Sequence, residues 1–116
     1  MLIYLASPWS HPDPAVRERR YLQARQATAA IIRAGKPVFS PVVYSYHLAE
    51  DGGLPGDWGF WQEFDEALIS RCSFLWVLTL DGWRESKGVA AEIDLAARLN
   101  KPMRCYSLEE LLEGRF

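Results

Sequence analysis

The chain has 116 residues, enough for one domain of ordinary size and too few for a two-domain enzyme. Hydrophobic residues make up 49%, with five Trp, five Tyr and five Phe, which excludes a disordered or low-complexity chain. Thirteen Lys and Arg against fifteen Asp and Glu leave a formal charge of −2, which argues against a nucleic-acid binder that works by broad positive potential.

In chain order, a short apolar strand is predicted from Leu2 to Ala6, followed by the turn-like Ser7-Pro8-Trp9-Ser10-His11-Pro12. Asp13 offers an N-cap and Pro14 the first helical residue. The helix should run to about Ala34, with Ala24, Ala27, Ile31 and Ala34 at three- and four-residue steps and Gly35 as its stop. Arg17, Arg19, Arg20, Arg25 and Arg33 interleave with Glu and Gln, the pattern of a solvated helix face.

Pro37 to Val43 reads as a second strand. Tyr44 to Gly59 reads as a long loop rich in Gly, Pro, Asp, His and aromatics, the kind of segment that often lines a binding site. Helical periodicity returns from Phe60 to about Arg71. The apolar run Phe74 to Leu80 then has the character of a strand buried on both faces. Asp81 to Glu85 forms a loop, and Ser86 caps a helix reaching Leu99. Met103 to Tyr106 makes a fourth strand, and Ser107 and Glu110 have capping-box spacing for a short last helix.

Alternating strands and helices imply right-handed crossovers and a small doubly wound, Rossmann- or flavodoxin-like α/β domain. A parallel sheet of about four strands in the order 2-1-3-4, with helices on both faces, is expected. Its ligand crevice would lie beyond the carboxyl ends of strands one and three, where winding reverses. That point gathers Ser7, Pro8 and Trp9 with Asp81, Gly82 and the helix start at Ser86.

The N-terminal Met1 to Ala6 is too short and uncharged for a signal peptide, and no apolar run approaches a membrane span, so a cytoplasmic protein without a membrane partner is expected. Cys72 and Cys105 have no Cys or His at metal-ligand spacing and read as buried thiols, with no metal site. A domain this small buries only about two thirds of its unfolded surface. A cavity completed at the surface or by a neighbouring subunit follows, and with it a homo-oligomer.

The carboxylates are the most informative feature. Glu92 shares a helical stripe with Gly88, Leu95 and Leu99, whereas Asp94 lies across the helix. On the preceding helix Asp65 shares a stripe with Trp61, Leu68 and Cys72, while Glu63 and Glu66 point elsewhere. An acid directed at the sheet needs donors, a raised pKa or a functional reason. Asp65 can accept from loop backbone or pair with an arginine, and Glu92 can pair with Arg17 or Arg19. Taken together, two inward acids that begin near the same sheet edge point to a shared cleft.

Around that cleft, Tyr4 carries a hydroxyl that an acid would satisfy if buried. Ser86 is a helix cap, and the Gly88 and Val89 amides beside it form a terminus able to accept phosphate or carboxylate. Ser86-Lys87-Gly88 is not a P-loop, because no Gly precedes it at the required spacing. His11 and His47 are loop histidines with ligand contact as their functional reading, and Trp9, Trp58 and Trp83 are able to stack on a planar base or to serve oligomer contacts.

Ile3-Tyr4-Leu5-Ala6-Ser7-Pro8, then Asp65 with Ala67, Leu68, Cys72 and Ser73, then Asp81 and Ser86-Lys87-Gly88-Val89-Ala90-Ala91-Glu92-Ile93 together resemble the nucleoside 2-deoxyribosyltransferase superfamily. The superfamily includes deoxynucleoside 5′-monophosphate N-glycosidases and pyrimidine nucleotide hydrolases. Within it, the Gly82-Trp83-Arg84-Glu85-Ser86 loop looks closest to the short DUF1937-type branch. The resemblance covers nearly the whole chain.

By motif position the resemblance implies Glu92 as the nucleophile at the sugar C1′, Asp65 in contact with sugar or leaving base, Tyr4 as the residue that orients the nucleophile, and Ser86 at a 5′-phosphate. Ser7, Trp9, Asp81, Gly88 and His47 complete the expected substrate contacts. A small-molecule nucleoside or nucleotide is the expected partner, and no cofactor is required. The chain departs from the family pattern where Ser7-Pro8 replaces the usual small-residue Gly, where Ser73 replaces the acid closing the Asp65 segment, and in an unusually aromatic second loop. A non-catalytic nucleotide-binding or sensing module would use the same cleft. A phosphorylated receiver domain, raised by Asp81 and Lys101-Pro102, fails because Lys101 precedes the fourth strand and no acidic pair follows the first.

Overall fold

Helix starts in this chain are set by side-chain caps, and in the computed structural model, which describes residues 1–116, each expected cap is made. Asp13 accepts from the Ala15 amide at the head of α1 (Pro14–Arg33). Ser86 accepts from the Val89 amide ahead of the helix Lys87–Arg98, and Ser107 and Glu110 form a reciprocal capping box for the helix Leu108–Leu112. Each cap satisfies donors that the first helical turn leaves without partners.

Four strands, β1 (Ile3–Ala6), β2 (Val38–Phe39), β3 (Phe74–Leu78) and β4 (Met103–Tyr106), form one all-parallel sheet in the order β2-β1-β3-β4. This is the doubly wound arrangement expected. Register pairs Tyr4 with Leu75 and Ala6 with Val77. Side chains alternate across the sheet. Ile3, Leu5, Trp76 and Leu78 therefore pack with Tyr21, Ala24, Ala27 and Ile31 of α1. Tyr4, Ala6, Leu75 and Val77 pack on the opposite face with Ile69, Val89 and Ala96. No helix is long and apolar enough to cross a membrane.

The segment between β2 and β3 differs from expectation. The second strand ends at Phe39 instead of Val43, and the presumed loop is mostly two helices, α2 (Pro41–Gly52) and α3 (Trp58–Arg71). Ser40 caps α2 by accepting from the Val43 amide, Pro41 opens it, and Gly53 closes it at φ 63°. The β-branched Val42-Val43 pair favours a strand locally, but the cap, the proline and the burial of Val42 against the α1 face prevail. The helices Lys87–Arg98 and Leu108–Leu112 are accordingly α4 and α5.

Three smaller expectations also change. Arg20 is buried among the inward positions of α1 instead of lying on its solvated face. Leu99 lies beyond the end of α4 and is exposed, and the buried stripe of that helix is Val89, Glu92 and Ala96. Cys105 is exposed because β4 is an edge strand, whereas Cys72 is a buried free thiol.

Ser40 is itself buried, so its loss leaves the Val43 amide without its acceptor. Ser40→Ala is expected to lower unfolding free energy by about 1 to 2 kcal/mol. Urea unfolding followed by far-UV circular dichroism checks this, with a lower midpoint and an unchanged native spectrum expected.

Candidate functional site

The alternation of β1 sends Tyr4 to the sheet face covered by α3 and α4. There its hydroxyl donates to Glu92 Oε2 in a short buried hydrogen bond. Glu92 is 4% exposed and Asp65 6%, so both acids point inward as their helical positions predict. Neither pairs with an arginine: the ion pairs of the structure are Arg98 with Asp94 and Arg115 with Glu113, both on the surface. The inward stripe of α3 runs through Asp65, Ile69 and Cys72, with Leu68 only partly buried.

Asp65 and Glu92 lie on the wall of one open cavity of about 440 Å³ at the carboxyl edge of the sheet. Ser7, Trp9 and Ser10 line it from the β1–α1 loop, and Glu85, Ser86, Lys87 and Gly88 from the segment entering α4. The opposite wall is α2, whose Val42, Ser45, Tyr46 and Ala49 recur at helical spacing. The start of α3 adds Trp58, Trp61 and Phe64. Trp61 is fixed by its indole N–H donating to the Pro55 carbonyl at 2.7 Å. Gly56 permits the approach of Trp9, since a Cβ there would stand 2.7 Å from the indole ring.

The structure thus brings together Tyr4, Ser7, Trp9, Asp65, Ser86, Gly88 and Glu92. Asp81 and His47 lie elsewhere. Asp81 lines a second cavity with Arg19 and Arg20, on the other side of the loop. His47 sits on the outward side of α2, where it meets the rings of Tyr21 and Tyr46 edge-on. A loop leaves side-chain direction open at both positions, and in the structure each turns away from the cavity. The α2 wall is what sequence reasoning missed; the signal for it was Ser40-Pro41 followed by Gly53, a cap, a helix opener and a stop.

The polar groups of the cavity divide between unpartnered and structural ones. Ser7 Oγ and Trp9 Nε1 are buried without a protein hydrogen-bond partner. Ser86 Oγ caps α4, while the Lys87 and Gly88 amides that follow have no backbone acceptor, as expected in a first helical turn. Nowhere do three or more His, Cys, Asp or Glu side chains converge as a metal-ligating group.

Burial disfavours the charged form of both acids. Desolvation pushes Asp65 up to about 7, partly offset by the Tyr4 hydroxyl. Desolvation pushes Glu92 up to about 8; the Tyr4 bond opposes this and the Asp65 charge adds to it. Burial, reinforced by both carboxylates, raises the Tyr4 hydroxyl far above its ordinary range and keeps it a donor. With both carboxyls raised by burial and each charge disfavouring the other, the pair titrates as a unit and retains a proton into the neutral range. The cavity then presents one carboxylate and one carboxylic acid, a nucleophile or base beside an acid.

An α/β domain with two buried acids on one cavity wall at the sheet's carboxyl edge, one of them bonded by a strand tyrosine, is the class that these features define. The chain belongs to the family described as domain of unknown function DUF1937, whose pattern it matches over residues 1–108. That stretch contains Tyr4, Asp65, Ser86 and Glu92. No curated protein matches the chain.

The raised carboxyl values carry a stability consequence. Each folded value lies above the unfolded one, so stability is fully present below about pH 4 and is lost as pH rises through the folded values. Between about pH 5 and pH 7, stability should fall by about 1.4 kcal/mol per pH unit for each proton held only by the folded state. Glu92→Gln, which cannot ionise, should flatten that slope. Urea midpoints measured across this range check both expectations.

Proposed function

We propose that this chain is a nucleoside 2-deoxyribosyltransferase-like enzyme that cleaves, or transfers the base of, a nucleoside or nucleoside 5′-monophosphate through a glycosyl-enzyme on Glu92. The observation that carries the reading is the Tyr4–Glu92 hydrogen bond on the wall of a cavity that Asp65 also lines. The motif resemblance of the Tyr4, Asp65 and Ser86-to-Glu92 segments supports it.

N-glycosidic cleavage develops positive charge at the anomeric carbon, so a carboxylate facing it stabilises the transition state and can trap the sugar. In the first step a Glu92 carboxylate oxygen bonds to C1′. The C1′–N bond breaks, its electron pair passes to the base nitrogen, and the Asp65 carboxyl supplies the proton. In the second step water, or another base, attacks C1′ and displaces Glu92, returning a proton to Asp65. Desolvation raises both carboxyls, so a proton is available to the pair near neutral pH. Tyr4 assists the reactive distribution because its donated hydrogen bond stabilises the ionised form of Glu92.

The walls suit the remaining parts of such a substrate. The rings of Trp9, Trp58 and Trp61 offer apolar faces to a planar base. Ser86, the Lys87 and Gly88 amides and the Lys87 side chain suit a 5′-phosphate. The unpartnered Ser7 and Trp9 donors suit oxygen or nitrogen acceptors on the ligand.

Glu92→Gln should abolish release of free base from a panel of nucleosides and monophosphates, read by chromatography, while the variant remains folded by circular dichroism. Tyr4→Phe should reduce kcat by about ten- to a hundredfold, the worth of one hydrogen bond to a charged group. Wild-type rates in Glu92→Gln would remove that residue from the mechanism. Ligand-induced thermal shifts with no base release from the wild type would favour a binding module.

A further inference from the structure

The two loops that carry the cavity's polar rim leave the ends of neighbouring strands and share no regular structure. One follows β1 and brings Ser7, Trp9 and Ser10; the other follows β3 and brings Glu85 and Ser86. A single side chain joins them. Arg20, from the second turn of α1 and 9% exposed, donates Nη1–H to the Ser10 carbonyl and Nη2–H to the Asp81 carbonyl, each at 2.9 Å.

No carboxylate lies within ion-pair distance of this guanidinium. The guanidinium lines the second cavity on one side and spends its hydrogen bonds on the two loop carbonyls on the other, so its fixed contacts are to loop backbone and not to a carboxylate partner. The surroundings are shaped to admit the guanidinium. Gly82 adopts φ 85°, and a Cβ at that position would come within 2.5 Å of Arg20 Nη2. Arg17, one helical turn earlier, donates to the His11 and Pro12 carbonyls and stands 5.9 Å from the Trp9 ring centroid, fixing the rest of the first loop.

We propose that Arg20 is a positioning residue of the cavity, a two-pronged clamp whose guanidinium sets the β1–α1 loop against the β3–α4 loop and so holds the substrate-binding rim in register. Tyr4, Asp65 and Glu92 sit on β1, α3 and α4 themselves and do not depend on the clamp. Loosening it therefore weakens binding more than chemistry, and this kinetic part rests on the glycosidase reading above. The structural part does not.

The test uses the full chain labelled with 5-fluorotryptophan, which places reporters on both loops, Trp9 and Trp83, and a control in the sheet, Trp76. Arg20→Ala should shift or broaden the fluorine resonances of Trp9 and Trp83 and leave Trp76 unchanged. Millimolar guanidinium should restore them, because the second cavity, lined in part by Arg20, gives a small cation access to the vacated position. If Arg20→Ala does not fold, Arg20→Lys is read in the same way, since an ammonium lacks the planar fork needed to hold both carbonyls. Unchanged Trp9 and Trp83 resonances in a folded variant would overturn the clamp. With a cleaved substrate in hand, KM should rise at least about tenfold with kcat within about threefold of wild type, and guanidinium should reverse the rise. A wild-type KM would overturn the role in binding while leaving the glycosidase reading intact; an inactive wild type would remove that reading and leave the fluorine result to decide the clamp.

Discussion

The hydrogen bond from Tyr4 to Glu92, beside a second buried carboxyl at Asp65, is the constraint around which the domain is arranged. An uncompensated buried charge costs several kcal/mol, a large part of the 5 to about 15 kcal/mol by which a domain is stable. Two such acids on adjacent helices are tolerated because the Tyr4 hydroxyl donates to Glu92 and because burial raises the pKa values of both carboxyls so that they hold protons more readily. A purely structural core at these positions would be cheaper with aliphatic side chains. Two carboxyls retained there, open to a cavity, are the observation on which the proposed glycosidase reading rests.

The layout separates rigid parts from adjustable ones. The acids and the tyrosine sit on strand and helix, where packing on both sides of the sheet restricts their rotamers. The rim is made of segments that start helices: Ser40-Pro41 into α2, Asp57-Trp58 into α3, and Ser86-Lys87 into α4. Each begins near the sheet's carboxyl edge, so their positive dipole ends converge on the cavity. These helix ends are set beside a lining that also carries Asp57, Asp65, Glu85 and Glu92, with Lys87 as its one cationic side chain. Arg20 lies outside this rim, behind the two loops whose Ser10 and Asp81 carbonyls it holds.

Much of this was legible locally. Asp13-Pro14, Ser86 and Ser107 with Glu110 are cap chemistries whose meaning depends on a few neighbouring residues, and the helices start where they predict. The apolar run of β3 and the inward phase of Asp65 and Glu92 follow from the two periodicities of strand and helix. The α2 helix was hidden because Val42, Val43 and Tyr44 have strand-like propensity, and the cap that overrides them is a single serine before a proline. His47 and Asp81 were drawn toward the cleft because a loop gives no direction to its side chains.

Sequence alone therefore determined most of the elements, with α2 the exception, and the inward direction of each acid, since those depend on spacing within a segment; the parallel order followed from the alternation of strands and helices. Tertiary structure decided which inward groups meet. That Tyr4 takes Glu92 as its acceptor, that α2 forms the far wall, and that Arg20 of a polar-looking helix reaches the Ser10 and Asp81 carbonyls depend on distances between segments far apart in the chain. Those distances arise only when two faces of one sheet are packed at once, and no local pattern encodes them.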